Sequence, residues 1–169
     1  MIRNWYSMAG VGVLIVGTIL FFHFSSTPIA ERISLSAHET DIKKDRIVTI
    51  NDKKISVEIA SNFEQKSNGL SYRETLDKGT GMLFVFDVSQ PVSFWMFKMN
   101  FSLDIIWINN GKIIGIERNV PYPTKGIEPE DLPTYPSPGD IDLVLEINAG
   151  EADEFSLGDK VEIININST

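Results

Sequence analysis

Apolar and polar positions along the chain fall into three regimes. From Met8 to Phe24 the run is apolar except for Thr18 and His23. At about 1.5 Å per residue this stretch reaches roughly 25 Å, close to the thickness of a bilayer core. Trp5 and Tyr6 precede it, where amphipathic rings favour the membrane interface. Residues 1–24 are therefore expected to be an N-terminal membrane anchor. A cleaved signal peptide is the alternative, against which Pro28 fits poorly into a small-residue cleavage site. Residues 25–45 have no sustained apolar period and are rich in Ser, Thr and charge, as in a flexible tether. From Arg46 onward the apolar residues gather in short runs, the pattern of a β-rich globular domain over 46–169.

Within that domain, Ile47–Asn51 and Lys54–Ala60 predict a hairpin. Ile55, Val57 and Ile59 alternate with Ser56 and Glu58, as in a half-exposed strand. Ser61 to Glu64 fits a capping box opening a brief helix, which Gly69 would stop. Further strands are expected at 82–86, 92–99, 103–108, 112–118, 141–147 and 160–166. Asn109-Asn110-Gly111 supplies a tight hairpin turn. Six prolines between Pro121 and Gly139 predict a long loop without an element of its own. The expected fold is α+β and mainly antiparallel: a small barrel-like or curled sheet with two short helices, preceded by one transmembrane helix.

The stretch from Gly81 to Asn109 holds two of the three tryptophans and five of the ten phenylalanines, which makes it the expected centre of the core. Its odd member is Asp104, set between Leu103 and Ile105-Ile106-Trp107-Ile108. An unpaired charge there is costly, so Asp104 has to be paired, capped by backbone amides or placed at a pocket mouth. Glu146, inside Leu143-Val144-Leu145-Glu146-Ile147, poses the same problem. Arg73 can give two parallel hydrogen bonds to either carboxylate and is the expected partner of Asp104.

Charge and composition narrow the chemistry. The formal net charge is -8, and all of the excess lies beyond residue 40. Such a surface repels phosphate backbones, so no nucleic-acid partner is expected. There is no cysteine, and both histidines, His23 and His38, precede the domain. That excludes thiolate chemistry and any triad built on a domain histidine, and implies no cofactor. Met96 and Met99 form an M-x-x-M pair with the softness for Cu(I), yet read first as core methionines beside Trp95 and Phe97; no metal site is expected. Asn100-Phe101-Ser102 and Asn167-Ser168-Thr169 match the glycosylation tripeptide too loosely to carry weight.

Six spaced motifs allow a family comparison: Gly69-Leu70-Ser71-Tyr72-Arg73, Gly81 to Phe86, Phe94-Trp95-Met96, Leu103-Asp104-Ile105-Ile106, Val144 to Gly150, and Gly158-Asp159-Lys160-Val161. Together they make the stretch from Ile55 to Ile164 resemble the domain of unknown function 192 family, also called uncharacterised protein family 0127. The chain departs from that pattern at Phe97-Lys98, where Lys-Asn is common, at Ser102, often a proline, and in lacking a cysteine ahead of Tyr135. The resemblance implies a compact β-rich domain, often secreted or membrane-tethered, and no settled activity.

The resulting expectation is a binding or accessory module held in the cell membrane by residues 8–24, single-pass, with its domain on the extracytoplasmic side. Arg32, Lys43, Lys44 and Arg46 after the span argue the other way, but they are mixed with acids, and signal anchors commonly export the larger domain. The expected ligand site joins Arg73, Trp95, Asp104 and Glu146 under a roof at Tyr135, suited to a polar organic or sugar-like molecule: rings stack while acids accept hydroxyl hydrogen bonds. Two alternatives stand beside it. One is a hydrolase using Asp104 and Glu146, which needs the two carboxyls about 5–10 Å apart across an open cleft. The other is a structural envelope protein with no ligand, joined only to an envelope-protein partner.

Overall fold

The computed structural model describes residues 46–124 and 126–165. Two hairpins and a crossover build one seven-stranded sheet. Strands β1 (Arg46–Ile50) and β2 (Lys53–Ala60) turn on Asn51, whose φ of 53° suits a two-residue loop. Helix α1 (Phe63–Asn68) carries the chain across to β3 (Thr80–Gln90), which lies parallel to β2. A parallel neighbour requires such a crossover, since no tight turn reverses direction twice. Strands β5 (Leu103–Asn109) and β6 (Lys112–Val120) form the hairpin expected at Asn110-Gly111, with φ of 50° and 68°. Strand β8 (Ile141–Asn148) inserts between β5 and β3, and β9 (Val161–Asn165) adds beside β1. The order is β6-β5-β8-β3-β2-β1-β9.

The sheet curls into a half-barrel whose edge strands meet at one end. Lys112 faces Lys160 in an antiparallel bridge, and Ile113 N–H donates to the Asp159 carbonyl at 3.0 Å. Val48, Ile50, Ile55, Val57, Ile106 and Leu145 are among the side chains that fill the concave side. The convex side is covered as well. There a separate ribbon, β4 (Ser93–Trp95) against β7 (Thr134–Pro136), lies with Leu70, Met96 and Met99 over Phe84, Ile105, Trp107 and Val144. Covering both sides explains why β5 reads as a nearly unbroken apolar run: alternation disappears when neither face meets water.

Several expectations need correcting. Two short helices and a membrane-spanning helix were expected with the sheet. Among the described residues there is one α-helix, α1, plus a single 3-10 turn at Pro129–Asp131. Residues 149–154 fold as turns, with Gly150 at φ 84°. Among the described residues no helix is long and apolar enough to cross a membrane. The expected span, residues 8–24, lies outside them, as do the tether and Asn167-Ser168-Thr169.

Two local readings shift. The helix cap is Asn62 rather than Ser61. Its side chain accepts from Gln65 N at 2.8 Å, and Gln65 Oε1 accepts in return from Asn62 N and Ser61 N. The proline-rich loop does contain an element, because β7 inside it pairs with β4. Tyr135 lies directly opposite Phe94 in that ribbon.

Candidate functional site

The two carboxyls that stood out in the sequence sit on opposite faces of the sheet. Asp104 lies opposite Ile147, and Glu146 opposite Ile105, so the pleat sends Asp104 to the concave side and Glu146 to the convex side. Asp104 is fully buried and its oxygens are committed. Oδ1 accepts from Asn119 N and Oδ2 from Ala152 N, each at 2.8 Å. Asn119 holds φ 53° at the end of β6, and Ala152 lies in the turn after β8. Asp104 is thus a staple joining β5 to two irregular segments. The Asp104–Glu146 pair does not face one cleft.

Arg73 also has a different partner from the one expected. Its Nη1 and Nη2 donate to Glu58 Oε1 and Oε2 at 2.7 and 2.6 Å, a fork-to-fork pair. Hydrogen bonding to the Glu58 carboxylate holds the Arg73 guanidinium above its ordinary pKa. Glu58 belongs to the strand that alternation marked as half-exposed. The loop carrying Arg73 covers that face and leaves Glu58 buried.

Across the convex face, register sets Glu58, Met82, Glu146 and Ile105 in one row over β2, β3, β8 and β5. Two strand spacings of about 4.8 Å put Glu58 and Glu146 roughly 10 Å apart. Glu146 therefore keeps no share of Arg73. It is 5% exposed, and no hydrogen bond to its carboxyl is formed among the described residues. Burial pushes its pKa up to about 8, so the group is mostly protonated at neutral pH.

Glu146 is not sealed in. It lines a cavity of about 230 Å³ bounded by the end of α1, the Gly69–Ser71 turn, β4 and Met99. Leu70, Phe84, Phe94 and Trp95 form its apolar walls; Lys66, Ser67, Asn68, Ser71 and Ser93 are its polar lining. Gly69 sits at φ 49°, with Phe84 3.3 Å from where a side-chain carbon would stand, so the turn presses closely on the aromatic wall. Trp95 is 48% exposed and stacks on Phe97 with ring centroids 5.0 Å apart. Phe94 meets Phe84 edge-on at 4.9 Å and Trp107 edge-on at 5.5 Å, which fixes the inner wall.

Of the five residues expected to form one site, the structure brings Trp95 and Glu146 together. Tyr135 packs half-buried against the convex core but does not line this cavity, and Arg73 and Asp104 are engaged elsewhere. Met96 and Met99 are buried in the same core. Sequence reasoning missed Glu58, Lys66, Ser71 and Ser93. A larger cleft of about 570 Å³ lies between Tyr72–Asn100 and the Tyr122–Leu132 loop, and it contains no buried polar side chain. Tyr72 and Lys98, joined by a 2.9 Å backbone hydrogen bond, both hold positive φ in the wall between the two hollows.

Residues 46–163 match the model of the domain of unknown function 192 family (DUF192), described as "Uncharacterized ACR". No curated protein matches the chain. Two solved structures are similar. A protein of unknown function from Novosphingobium aromaticivorans is 29% identical with a TM-score of 0.60, covering 69% of this chain and 83% of its own. A protein from Sinorhizobium meliloti, provisionally described as a transcription regulator, is 28% identical with a TM-score of 0.60, covering 69% of this chain and 90% of its own.

Two isosteric substitutions separate the roles of the acids. Asp104→Asn replaces one acceptor by a donor facing an amide, and should cost about 2–4 kcal/mol, with hydrogen-exchange protection lost at Asn119 and Ala152. Retained protection there would refute the staple. Glu146→Gln should instead change how stability depends on pH. A carboxyl whose folded pKa of about 8 exceeds its unfolded value of 4.5 binds its proton more tightly when folded. Its contribution is complete below pH 4.5 and is lost as pH rises through 8, a change of several kcal/mol. Urea midpoints across pH 5–9 should fall in the native chain and stay flatter in the variant; parallel curves would contradict the raised pKa.

Proposed function

We propose, taking as premise that this chain belongs to the domain of unknown function 192 family, that its domain is a binding module whose ligand enters the cavity over Glu146. One observation carries the reading: Glu146, a residue 5% exposed whose carboxyl makes no hydrogen bond to any described residue, lines an open cavity. Leaving a buried polar group unpaired costs about 1–3 kcal/mol, more for a charged one. A ligand that hydrogen-bonds the Glu146 carboxyl offsets the cost of placing it in this largely apolar setting. Apolar walls with a few convergent polar groups are the usual make-up of such a site.

The cavity is smaller than the roughly 300–1,000 Å³ of drug-sized sites, so it suits one ring-sized polar organic group. Part of that group would stack on the exposed face of Trp95 while its polar end reaches Glu146. Asp104 takes no part. The role of transcription regulator, attached provisionally to the Sinorhizobium relative, is not carried over, because this chain's charge of -8 opposes contact with nucleic acid. The apolar run of residues 8–24 supports a place at the cell membrane, and the domain is assigned to the outside because signal anchors commonly export the larger domain.

Two measurements test these readings. Amide NMR spectra recorded with a panel of neutral sugars, amines and carboxylates should give at least one compound that shifts Ser67–Ser71, Ser93–Trp95 and Glu146. Its affinity should fall about tenfold in Trp95→Ala. No shift at those positions, or equal affinity in the variant, contradicts the pocket. Protease added to intact cells should cut the domain; full protection would place it inside.

A further inference from the structure

The make-up of the cavity also selects the charge of its ligand. We infer that the group entering it is an ammonium, a protonated amine or quaternary nitrogen, held between the Glu146 carboxylate and the rings of Phe84, Phe94 and Trp95. This deepens the pocket reading above and rests on it.

Three observations point to a cation. Glu146 is the only acid in the lining, and it lies at the buried end. Three aromatic residues line the same cavity, and electron-rich ring faces attract ammonium groups most strongly where water is excluded. Two of the donors in the lining are already engaged. Ser71 Oγ donates to the Phe97 carbonyl at 2.8 Å, and Lys66, the only base in the lining, donates through Nζ to the Val85 carbonyl at 2.9 Å. The Lys66 ammonium also lies 4.7 Å from the Phe86 ring centroid, so the chain already holds one of its own cations by a carbonyl and a ring beside this cavity.

Besides Lys66 in the lining, the charges facing Glu146 among the described residues are few. On the convex row, Glu58 lies two strands away and is neutralised by Arg73, and Glu117 lies two strands away on the other side. Strand β4 contributes Ser93, Phe94 and Trp95, none of them charged. A cation entering the cavity would therefore meet a carboxyl that must ionise to pair with it, and the displaced proton would leave to solvent. Below the carboxyl's pKa only the ionised fraction binds, and that fraction grows about tenfold per pH unit.

The test uses the full-length chain in a non-ionic detergent and four probes: choline, n-butylammonium, the neutral choline isostere 3,3-dimethylbutan-1-ol, and pivalate. Choline is expected to bind with an affinity rising about tenfold from pH 6 to 7 and levelling above about 8. At pH 7 calorimetry in buffers of different ionisation enthalpy should register close to one proton released per choline. The neutral isostere should bind at least about tenfold more weakly at pH 8.5, and pivalate more weakly still. Glu146→Gln, folded by its NMR spectrum, should lose both the pH dependence and the preference for cations. Equal or better binding of the alcohol or pivalate at the same amides overturns the ammonium assignment and leaves the pocket standing. No shift of Ser67–Ser71 and Ser93–Trp95 by any probe overturns both.

Discussion

Covering both faces of a sheet removes water from its central strands, and every polar side chain those strands carry must then find a partner in the protein. That constraint governs this domain. The curl of the sheet encloses one side, while β4, β7 and the Gly69–Arg73 loop enclose the other. Asp104 and Glu146 sit on neighbouring strands but point to opposite sides, and they meet the constraint in opposite ways. Asp104 has two backbone amides at 2.8 Å; Glu146 has a cavity.

The same covering builds the site. Ser71 and Tyr72 are tied to the Phe97 and Lys98 carbonyls, and the Asn100 side chain to the Arg73 carbonyl, so the two loops form one wall. The Arg73–Glu58 pair pins that wall to β2. Neutralising Glu58 in this way leaves Glu146 as the buried acid of its row without a partner among the described residues. Its raised pKa follows from desolvation rather than from a neighbouring charge. A group near neutrality in its titration responds to what enters the cavity, which ties binding to proton release.

Much of the frame was legible in the sequence. Asn110-Gly111 and Gly69 are local signals with a local cause, the need for positive φ, and both stand where expected. The apolar run 103–108 announced a strand, and Asp104 announced a need for partners. What remained hidden depends on the covering layers. The pattern Ile55-Ser56-Val57-Glu58-Ile59 looks like a half-exposed strand unless one knows that a loop 15 residues on folds over it. Choosing Asp104 for Arg73 followed from charge alone, and charge does not say which face a carboxylate is on. The β4–β7 ribbon joins segments about forty residues apart, one of them inside a proline-rich loop, so nothing local marks it. Trp95 and Glu146 could be named as candidates, but their meeting depends on that ribbon.

Binding coupled to proton release depends on the ionisation state of a single carboxyl. Following the ¹³C resonance of the Glu146 Cδ from pH 4 to 10 in the free protein measures it directly. A midpoint near 8 is the predicted result. A midpoint in the ordinary carboxylate range, about 4–5, would mean that Glu146 is well solvated or paired, and would contradict a desolvated acid in the cavity.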